Sequence, residues 1–241
     1  MSGTTIGENL ASVMHRIERA ARKAGRDPGE ITLVSVTKNV ETKKIKEAMR
    51  AGARVFGENY VQEAEEKIEN LKKARLSWHF IGHLQKNKAK YAVELFDMIE
   101  SVDSVELAKE LSKKAKKPVD VLIEVNIARE KTKTGVEAKN VEKVAREIAG
   151  LENLRLKGLM AIPPCHENPE MSRPYFITLR RIAERINKES IPGVSMNVLS
   201  MGMSDDFEVA IEEGATVVRV GRAIFGEREP GKTAVKTVGK N

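Results

Sequence analysis

The chain has 241 residues, with 42 lysines and arginines, 35 aspartates and glutamates, 41% hydrophobic residues and one cysteine, Cys165. This apolar content excludes general disorder, and a lone cysteine excludes a disulfide scaffold and indicates a reducing, cytoplasmic setting. No segment reaches the roughly 18 uninterrupted apolar residues of a membrane helix, and the first residues lack the apolar run of a signal peptide. The net charge of +7 favours anionic ligands only weakly, because acidic residues are interleaved with the basic ones.

The chain begins with an amphipathic helix and then alternates between two periodicities. From Ile6 to Ala24 apolar residues recur every three or four positions, and Gly25 ends the pattern. Compact Val/Ile/Leu runs then alternate with helical patterns. The predicted strands are residues 31–36, 54–56, 78–81, 97–101, 119–127, 154–162, 195–201 and 216–221. The predicted helices between them are residues 41–52, 61–71, 86–96, 104–115, 141–148, 173–187 and 206–213.

This count of about eight strand-helix units favours one (β/α)8 barrel of the TIM type, with the helix of residues 6–24 added at its N-terminus. An open, doubly wound parallel sheet uses the same alternation and is the alternative architecture. No linker composition interrupts the series, so residues 1–230 are predicted to form a single domain. Residues 231–241 carry no core pattern and are predicted to form a flexible tail.

Lys38 follows the first predicted strand, ITLVSV, and so stands at the end of the barrel where active sites lie. An inward-facing ammonium is costly to desolvate, and desolvation favours the neutral amine that attacks carbonyl groups. Lys38 is therefore a candidate for a covalent bond to an aldehyde. A solvated lysine at the start of a loop is the alternative, which position alone favours.

The loops after the last two strands, within residues 198–226, are small and contain glycine. Barrels repeatedly bind phosphate between these loops through backbone N–H groups, and Ser200, Gly202, Ser204 and Gly221 fit that use. Tight turns are the alternative reason for the glycines. Asp205 and Asp206 are predicted to cap the helix that follows. A reactive amine beside a phosphate pocket suits pyridoxal 5'-phosphate (PLP), which carries both an aldehyde and a phosphate.

Arg219 lies in the last strand, two residues before Gly221, and shares its face. An inward arginine needs an acceptor, and the pyridine nitrogen of PLP is one. An arginine at that nitrogen keeps it unprotonated, which makes the ring a weak electron sink. The alternative is an ordinary ion pair with a carboxylate.

Three further features are given simpler interpretations. His79 and His83 are too few for a metal site and are predicted to be hydrogen-bonded histidines of the barrel. Cys165 is predicted to be a free thiol. With only 4% aromatic residues the chain has little stacking surface for single-stranded nucleic acid, so nucleic-acid binding is a third-ranked function.

Seven stretches, in this order, carry a resemblance over residues 6–228: VTKN, FGENYVQE, WHFIGHLQKNK, KTGV, GLMAIPP, RPYF and LSMGMSDDFEVAIEEGATVVRVGRAIFGER. Together they resemble the pyridoxal phosphate homeostasis proteins of the YggS/PROSC type. The resemblance implies a barrel similar to the N-terminal domain of alanine racemase, with PLP bound to Lys38 as a Schiff base. Val40 departs mildly from the proline that many members carry after the lysine.

The resemblance also assigns residues and a role. The cofactor-binding residues that it implies are Lys38, Asn59, His79, Met160, Ser200, Ser204, Arg219 and Gly221. Among these, Ser200 and Gly221 correspond to phosphate-binding positions, Arg219 to the partner of the ring nitrogen, and Met160 to a residue beside the ring. The implied function is a monomeric PLP carrier in vitamin B6 and amino-acid homeostasis, without robust catalysis or a metal, that serves PLP-dependent apoenzymes.

A weak PLP-dependent amino-acid racemase is the alternative function. Alanine racemase takes its second base from a tyrosine that a partner's C-terminal domain contributes. The sequence offers only Tyr60, Tyr91 and Tyr175 and no such domain, so Lys38 would be the only base.

Overall fold

Eight parallel strands close on themselves in the computed structural model, which describes residues 4–128, 130 and 133–227. The barrel strands are β1 (Thr32–Val36), β2 (Val55–Glu58), β3 (Ser77–Phe80), β4 (Met98–Val102), β5 (Val119–Asn126), β7 (Leu154–Met160), β8 (Val194–Ser200) and β9 (Val217–Val220). A short ninth strand, β6 (Val136–Glu137), pairs with the end of β5. Because β1 pairs with β9 and β4 with β5, the predicted barrel is confirmed and the open sheet is wrong.

Helices surround the barrel in the predicted alternation. They are α1 (Ile6–Lys23), α2 (Thr42–Arg50), α3 (Val61–Leu71), α4 (Ala89–Leu95), α5 (Val105–Lys114), α6 (Val141–Ala149), α7 (Arg173–Lys188), α8 (Phe207–Glu212) and α9 (Arg222–Phe225). The added N-terminal helix is confirmed as α1, which starts with a capping box between Thr5 and Glu8 and packs against α8.

The sequence did not predict β6 or α9, each of which is too short to show a periodicity. The predicted tail, residues 231–241, lies outside the described residues. Among the helices described here, none combines the length and the apolar character needed to cross a bilayer.

Strand register decides which side chains enter the barrel. Val34 is paired with Arg219, Gly57 with His79 and Met160 with Ser200, so these positions share the inner face. Neighbouring residues of the strands, such as Phe56 and Ile99, face outward into the core beneath the helices. The barrel is closely packed at β7 and β8. A Cβ on Gly158 would lie 1.8 Å from the carbonyl oxygen of Val198, so only glycine permits this approach.

Candidate functional site

Lys38 and Asn59 lie at the barrel mouth, which is the end where the carboxyl termini of the strands meet. Lys38 follows Val36 by two residues, and Asn59 follows Gly57 by two, while Val36 and Gly57 are paired in the β1–β2 register. The two predicted residues therefore occupy neighbouring positions on adjacent strand ends. The side chain of Lys38 is half-buried there.

The side chain of Asn59 carries a buried acceptor that the rest of the site does not use. Its Oδ1 atom is inaccessible to solvent and has no hydrogen-bond partner among the described residues. Gly82 approaches the backbone of Asn59 closely, since a Cβ on Gly82 would lie 2.3 Å from the Asn59 carbonyl oxygen. An orphaned buried polar atom is rare in native proteins. The amide of Asn59 is thus placed to meet a polar ligand at the mouth.

Four polar side chains form one hydrogen-bonded chain across the inside of the barrel. His79 Nδ1 lies 2.6 Å from Glu100 Oε1, and the hydroxyl of Ser200 donates to Glu100 Oε2 at 2.5 Å. Arg219 then donates through Nη1 to Ser200 Oγ at 2.5 Å and through Nη2 to the Ala161 carbonyl at 2.9 Å. This chain, the Glu100 network, links β3, β4, β8 and β9.

The Glu100 network is charged although it is deeply buried. Burial pushes the pKa of Glu100 upward, but the hydrogen bond and charge of His79, together with Arg219 and Ser200, outweigh it and hold that pKa below its ordinary value. Burial lowers the pKa of Arg219, and Glu100, Glu124 and Asp206 oppose that shift. A guanidinium keeps its proton at neutral pH even so. The network therefore presents a fixed cation on the inner face.

Ser200 is already engaged within this network. Its hydroxyl proton goes to Glu100, one of its lone pairs accepts from Arg219, and its side chain is fully buried. A phosphate needs a donor, and the single O–H of a serine supplies only one. The phosphate role of Ser200 stays a prediction, and the observed contacts favour Ser200 as a support for Arg219.

The loop after β8 and the start of α9 bring Ser204 and Gly221 together. Ser204 Oγ accepts from the backbone N–H of Ala223 at 3.3 Å, and Gly221 immediately precedes α9. Gly202 has φ +91°, and a Cβ there would lie 2.6 Å from the Cβ of Ala210, so the loop requires glycine at this position. Two of the four predicted phosphate-binding positions, Ser204 and Gly221, thus lie together at the start of α9.

The prediction that Asp205 and Asp206 cap α8 is right for the position of Asp206, which is the N-cap residue, and wrong for the capping bonds. Asp206 stands at the start of α8 without a side-chain capping bond, because its Oδ1 instead accepts from the backbone N–H of Met203 at 2.7 Å. Asp205 pairs with Arg222 at the start of α9. Both carboxylates therefore shape the loop after β8 and leave the N-terminus of α8 without a side-chain cap.

Met160 completes the inner face beside the network. It is fully buried and is paired with Ser200 in the β7–β8 register, and the next residue, Ala161, accepts a hydrogen bond from Arg219. Met160 therefore supplies an apolar wall next to the buried guanidinium, and its role beside a ring stays a prediction.

Sequence reasoning missed two buried acids of the inner face, Glu100 and Glu124. Glu124 is paired with Met160, accepts from Thr134 Oγ1 at 3.0 Å and lines a cavity of about 220 Å³ with Asn126 and Lys133. Burial raises its pKa. A usable signal existed, since an acid inside an apolar strand such as MIESV or VLIEVN is costly to bury without partners.

The remaining sequence predictions have mixed outcomes. His79 is hydrogen-bonded on the inner face of the barrel, as predicted. His83 lies beyond β3 with its side chain 56% exposed and its Nδ1 atom 3.4 Å from Asp103 Oδ2. Cys165 is a free, exposed thiol. Over residues 4–128, 130 and 133–227, no group of three metal-binding side chains is gathered.

Comparisons with known proteins find similar sequences and similar folds. Residues 9–229 match the family described as "Alanine racemase, N-terminal domain". A pyridoxal phosphate homeostasis protein of Aquifex aeolicus is 47% identical over 225 residues, which are 92% of this chain and 98% of that protein. The structure of PipY from Synechococcus elongatus with PLP bound superposes with a TM-score of 0.80 at 34% identity, over 92% of this chain and 100% of PipY.

A more distant structure shows the shared fold alone. Alanine racemase from Corynebacterium glutamicum superposes with a TM-score of 0.69 at 20% identity. The match covers 93% of this chain but 63% of the racemase chain.

Proposed function

The chain belongs to the pyridoxal phosphate homeostasis proteins within the alanine racemase N-terminal domain family, and from this premise we propose that it binds PLP covalently through Lys38. In this proposal it acts as a monomeric carrier in vitamin B6 and amino-acid homeostasis and serves PLP-dependent apoenzymes. The observation that carries the proposal is the placement of Lys38 and Asn59 side by side at the barrel mouth, above the buried guanidinium of Arg219. The PLP bound to the related PipY supports it.

The residues at the mouth fit this cofactor. When bound, PLP supplies an aldehyde that condenses with a primary amine with loss of one water, and attack by water or another amine reverses the bond. Lys38 supplies the amine. Asn59, whose buried Oδ1 has no partner within the described part of the chain, would face the polar edge of a ligand, and Met160 offers an apolar wall. Ser204 and Gly221 would hold the phosphate.

Arg219 would make the ring of a bound cofactor a weak electron sink. Its guanidinium donates hydrogen bonds and has no lone pair to accept one, so a ring nitrogen facing it must accept and stays unprotonated. Glu100 and Ser200 hold the guanidinium in place and keep it charged. A neutral pyridine withdraws electrons weakly, which disfavours removal of a proton from a bound amino acid.

The tyrosines also favour a carrier over two-base racemisation. Tyr60 and Tyr91 are 52% and 43% exposed, and Tyr175 stacks on His166 with 6.4 Å between the ring centroids. No tyrosine is among the inner-face residues of the described strands. None of these three tyrosines is therefore a candidate for a second base opposite Lys38.

Titration of the purified protein with PLP, followed by visible absorbance, tests the proposal. The wild type is expected to develop the band of a lysine-bound cofactor, and Lys38→Ala to bind PLP at least about tenfold more weakly. Lys43→Ala, which removes an exposed lysine of α2, is the matched control and should bind as the wild type does.

Two results would contradict this function. A wild-type protein that takes up no PLP would exclude the cofactor. Lysine-dependent racemase turnover above about 1 per second, which is an ordinary enzymatic rate, would replace the carrier with the racemase.

A further inference from the structure

Both peptide groups that flank Lys38 are held by side chains of α3. The carbonyl oxygen of Thr37 accepts from Lys67 Nζ at 2.5 Å, and the backbone N–H of Asn39 donates to Glu63 Oε1 at 2.6 Å. The backbone before and after Lys38 is thus fixed from one direction by two residues of one helix. We call these two side chains the α3 clamp.

Lys67, one of the two clamp residues, uses all of its hydrogen-bond donors. An ammonium has three N–H groups, and in addition to Thr37 the other two reach Glu58 Oε1 and Glu63 Oε1, each at 2.7 Å. Lys67 is 5% exposed and Glu58 is completely buried. The hydroxyl of Thr37 also donates to Glu58 Oε1 at 2.6 Å. The segment before Lys38 is therefore tied to the buried pair by two separate hydrogen bonds.

The backbone beyond Lys38 adopts a conformation that needs such support. Asn39 has φ +58°, in the left-handed region that residues other than glycine seldom adopt. Asparagine tolerates this region better than most residues, but it remains a conformation that surrounding contacts must maintain. The bond from its N–H to Glu63 is such a contact.

A role in stability alone explains the contacts of Lys67, Glu63 and Glu58 less well. Buried ion pairs contribute little net stability compared with apolar residues of similar size, and their best-attested use is to specify one geometry. Here two of the bonds run from side chains of α3 to the two peptide groups beside Lys38. The α3 clamp therefore specifies the geometry of the segment that carries the reactive amine.

We propose that Lys67 and Glu63 are positioning residues that hold the backbone of Lys38 where its amine meets the aldehyde of an entering cofactor. This inference rests on the proposed function. A looser backbone spreads the amine over more positions, so fewer encounters with the aldehyde lead to attachment. The two clamp bonds end on backbone atoms, and the effect of the clamp lies in the rate of attachment and in the order of residues 37–40.

Glu63→Ala, compared with Glu69→Ala, tests the clamp. Glu69 is an exposed acid on the same helix that pairs with Lys72, so its removal changes α3 without touching the segment of Lys38. Two quantities are measured for each variant: amide hydrogen exchange of residues 37–40 without PLP, and the rate constant of covalent PLP attachment from visible absorbance.

We expect Glu63→Ala to speed exchange of the Asn39 amide and to slow attachment, each by about tenfold or more, since a hydrogen bond to a charged group is lost. Glu63→Gln keeps an acceptor oxygen and is expected to recover much of both quantities. Glu69→Ala should match the wild type. Because Glu63 is partly exposed, the alanine variant is expected to fold, and urea unfolding checks this.

The outcomes separate this inference from the proposed function. If the wild type takes up PLP and Glu63→Ala matches it in attachment rate, the positioning role is overturned. Unchanged exchange of residues 37–40 would also overturn it, whether or not PLP binds. A wild type that takes up no PLP contradicts the proposed function, and the exchange data then still decide whether the clamp orders the segment.

Discussion

Glu100 and Glu58 are both fully buried strand carboxylates, yet their environments shift their pKa values in opposite directions. Glu100 lies inside the barrel and has partners on both oxygens, His79 on one and Ser200 on the other. Glu58 lies outside the barrel beneath α3. Its Oε1 accepts from Lys67 and Thr37, while its Oε2 is buried without a partner among the described residues.

The difference shows that partners, and not depth alone, decide the charge of a buried acid. Burial raises the pKa of Glu58 more strongly than Lys67 and Thr37 lower it, and Glu63 adds to the rise. At Glu100 the hydrogen bonds and the positive charges outweigh the same burial cost. Glu100 is thus fixed as an anion beside Arg219, whereas the partners of Glu58 offset only part of the free energy that its desolvation costs.

The largest expected effect is the removal of Glu100. Glu100→Ala leaves Arg219 buried without its carboxylate, so we expect the free energy of unfolding to fall by about 3–5 kcal/mol. Urea denaturation of the protein without PLP measures this quantity. Glu100→Gln keeps the shape and part of the hydrogen bonding and is expected to lose less. A loss below about 1 kcal/mol in Glu100→Ala would contradict the central place of this residue.

Removal of charge at Glu58 should have a smaller effect. Glu58→Gln removes the buried charge whose desolvation is only partly offset, and it leaves Lys67 paired with Glu63. The free energy of unfolding at neutral pH should therefore change by about 1 kcal/mol or less. Equal losses for Glu58→Gln and Glu100→Gln would remove the distinction between the two sites.

The pH dependence of unfolding sharpens the same comparison. Because the pKa of Glu58 is raised on folding, its contribution to stability falls as pH rises from about 4.3 through the folded value, and Glu58→Gln should remove that slope. Glu100 has the opposite sign, since its stabilisation is complete above about 4.3 and is lost as pH falls through its lowered value. Urea titrations across this range measure both slopes.

The smallest effect is expected at an exposed pair. Glu18 and Arg22 lie one turn apart on α1, with Arg22 Nη2 2.8 Å from Glu18 Oε1. Their side chains are 48% and 70% exposed. Glu18→Ala should therefore cost about 0.3–0.5 kcal/mol, and added salt should reduce that cost further. A loss as large as that of Glu100→Ala would mean that burial and network formation do not explain the ranking.

The fold was predictable because a barrel repeats one local pattern. Each barrel strand and the helix after it show their periodicity within about a dozen residues, so the eight barrel strands and most helices follow from local sequence. The places of Lys38 just beyond β1 and of Arg219 within β9 follow from the same pattern. The contact between Glu100 and Ser200 joins residues 100 positions apart across the barrel, and no local pattern reports it. The capping bond of Asp206 was misassigned because a capping preference does not decide between a helix N–H and a loop N–H. That of Asp205 was misassigned because its partner, Arg222, is 17 residues away in the sequence.

Borohydride reduction of the PLP-loaded protein, followed by peptide mass mapping, tests the central claim most directly. Reduction makes the bond between an amine and the cofactor permanent, so the labelled residue identifies the attachment site. We expect one reduced phosphopyridoxyl group per chain, located on Lys38. A label confined to other lysines, or an unlabelled protein, would contradict the proposal that Lys38 carries the cofactor.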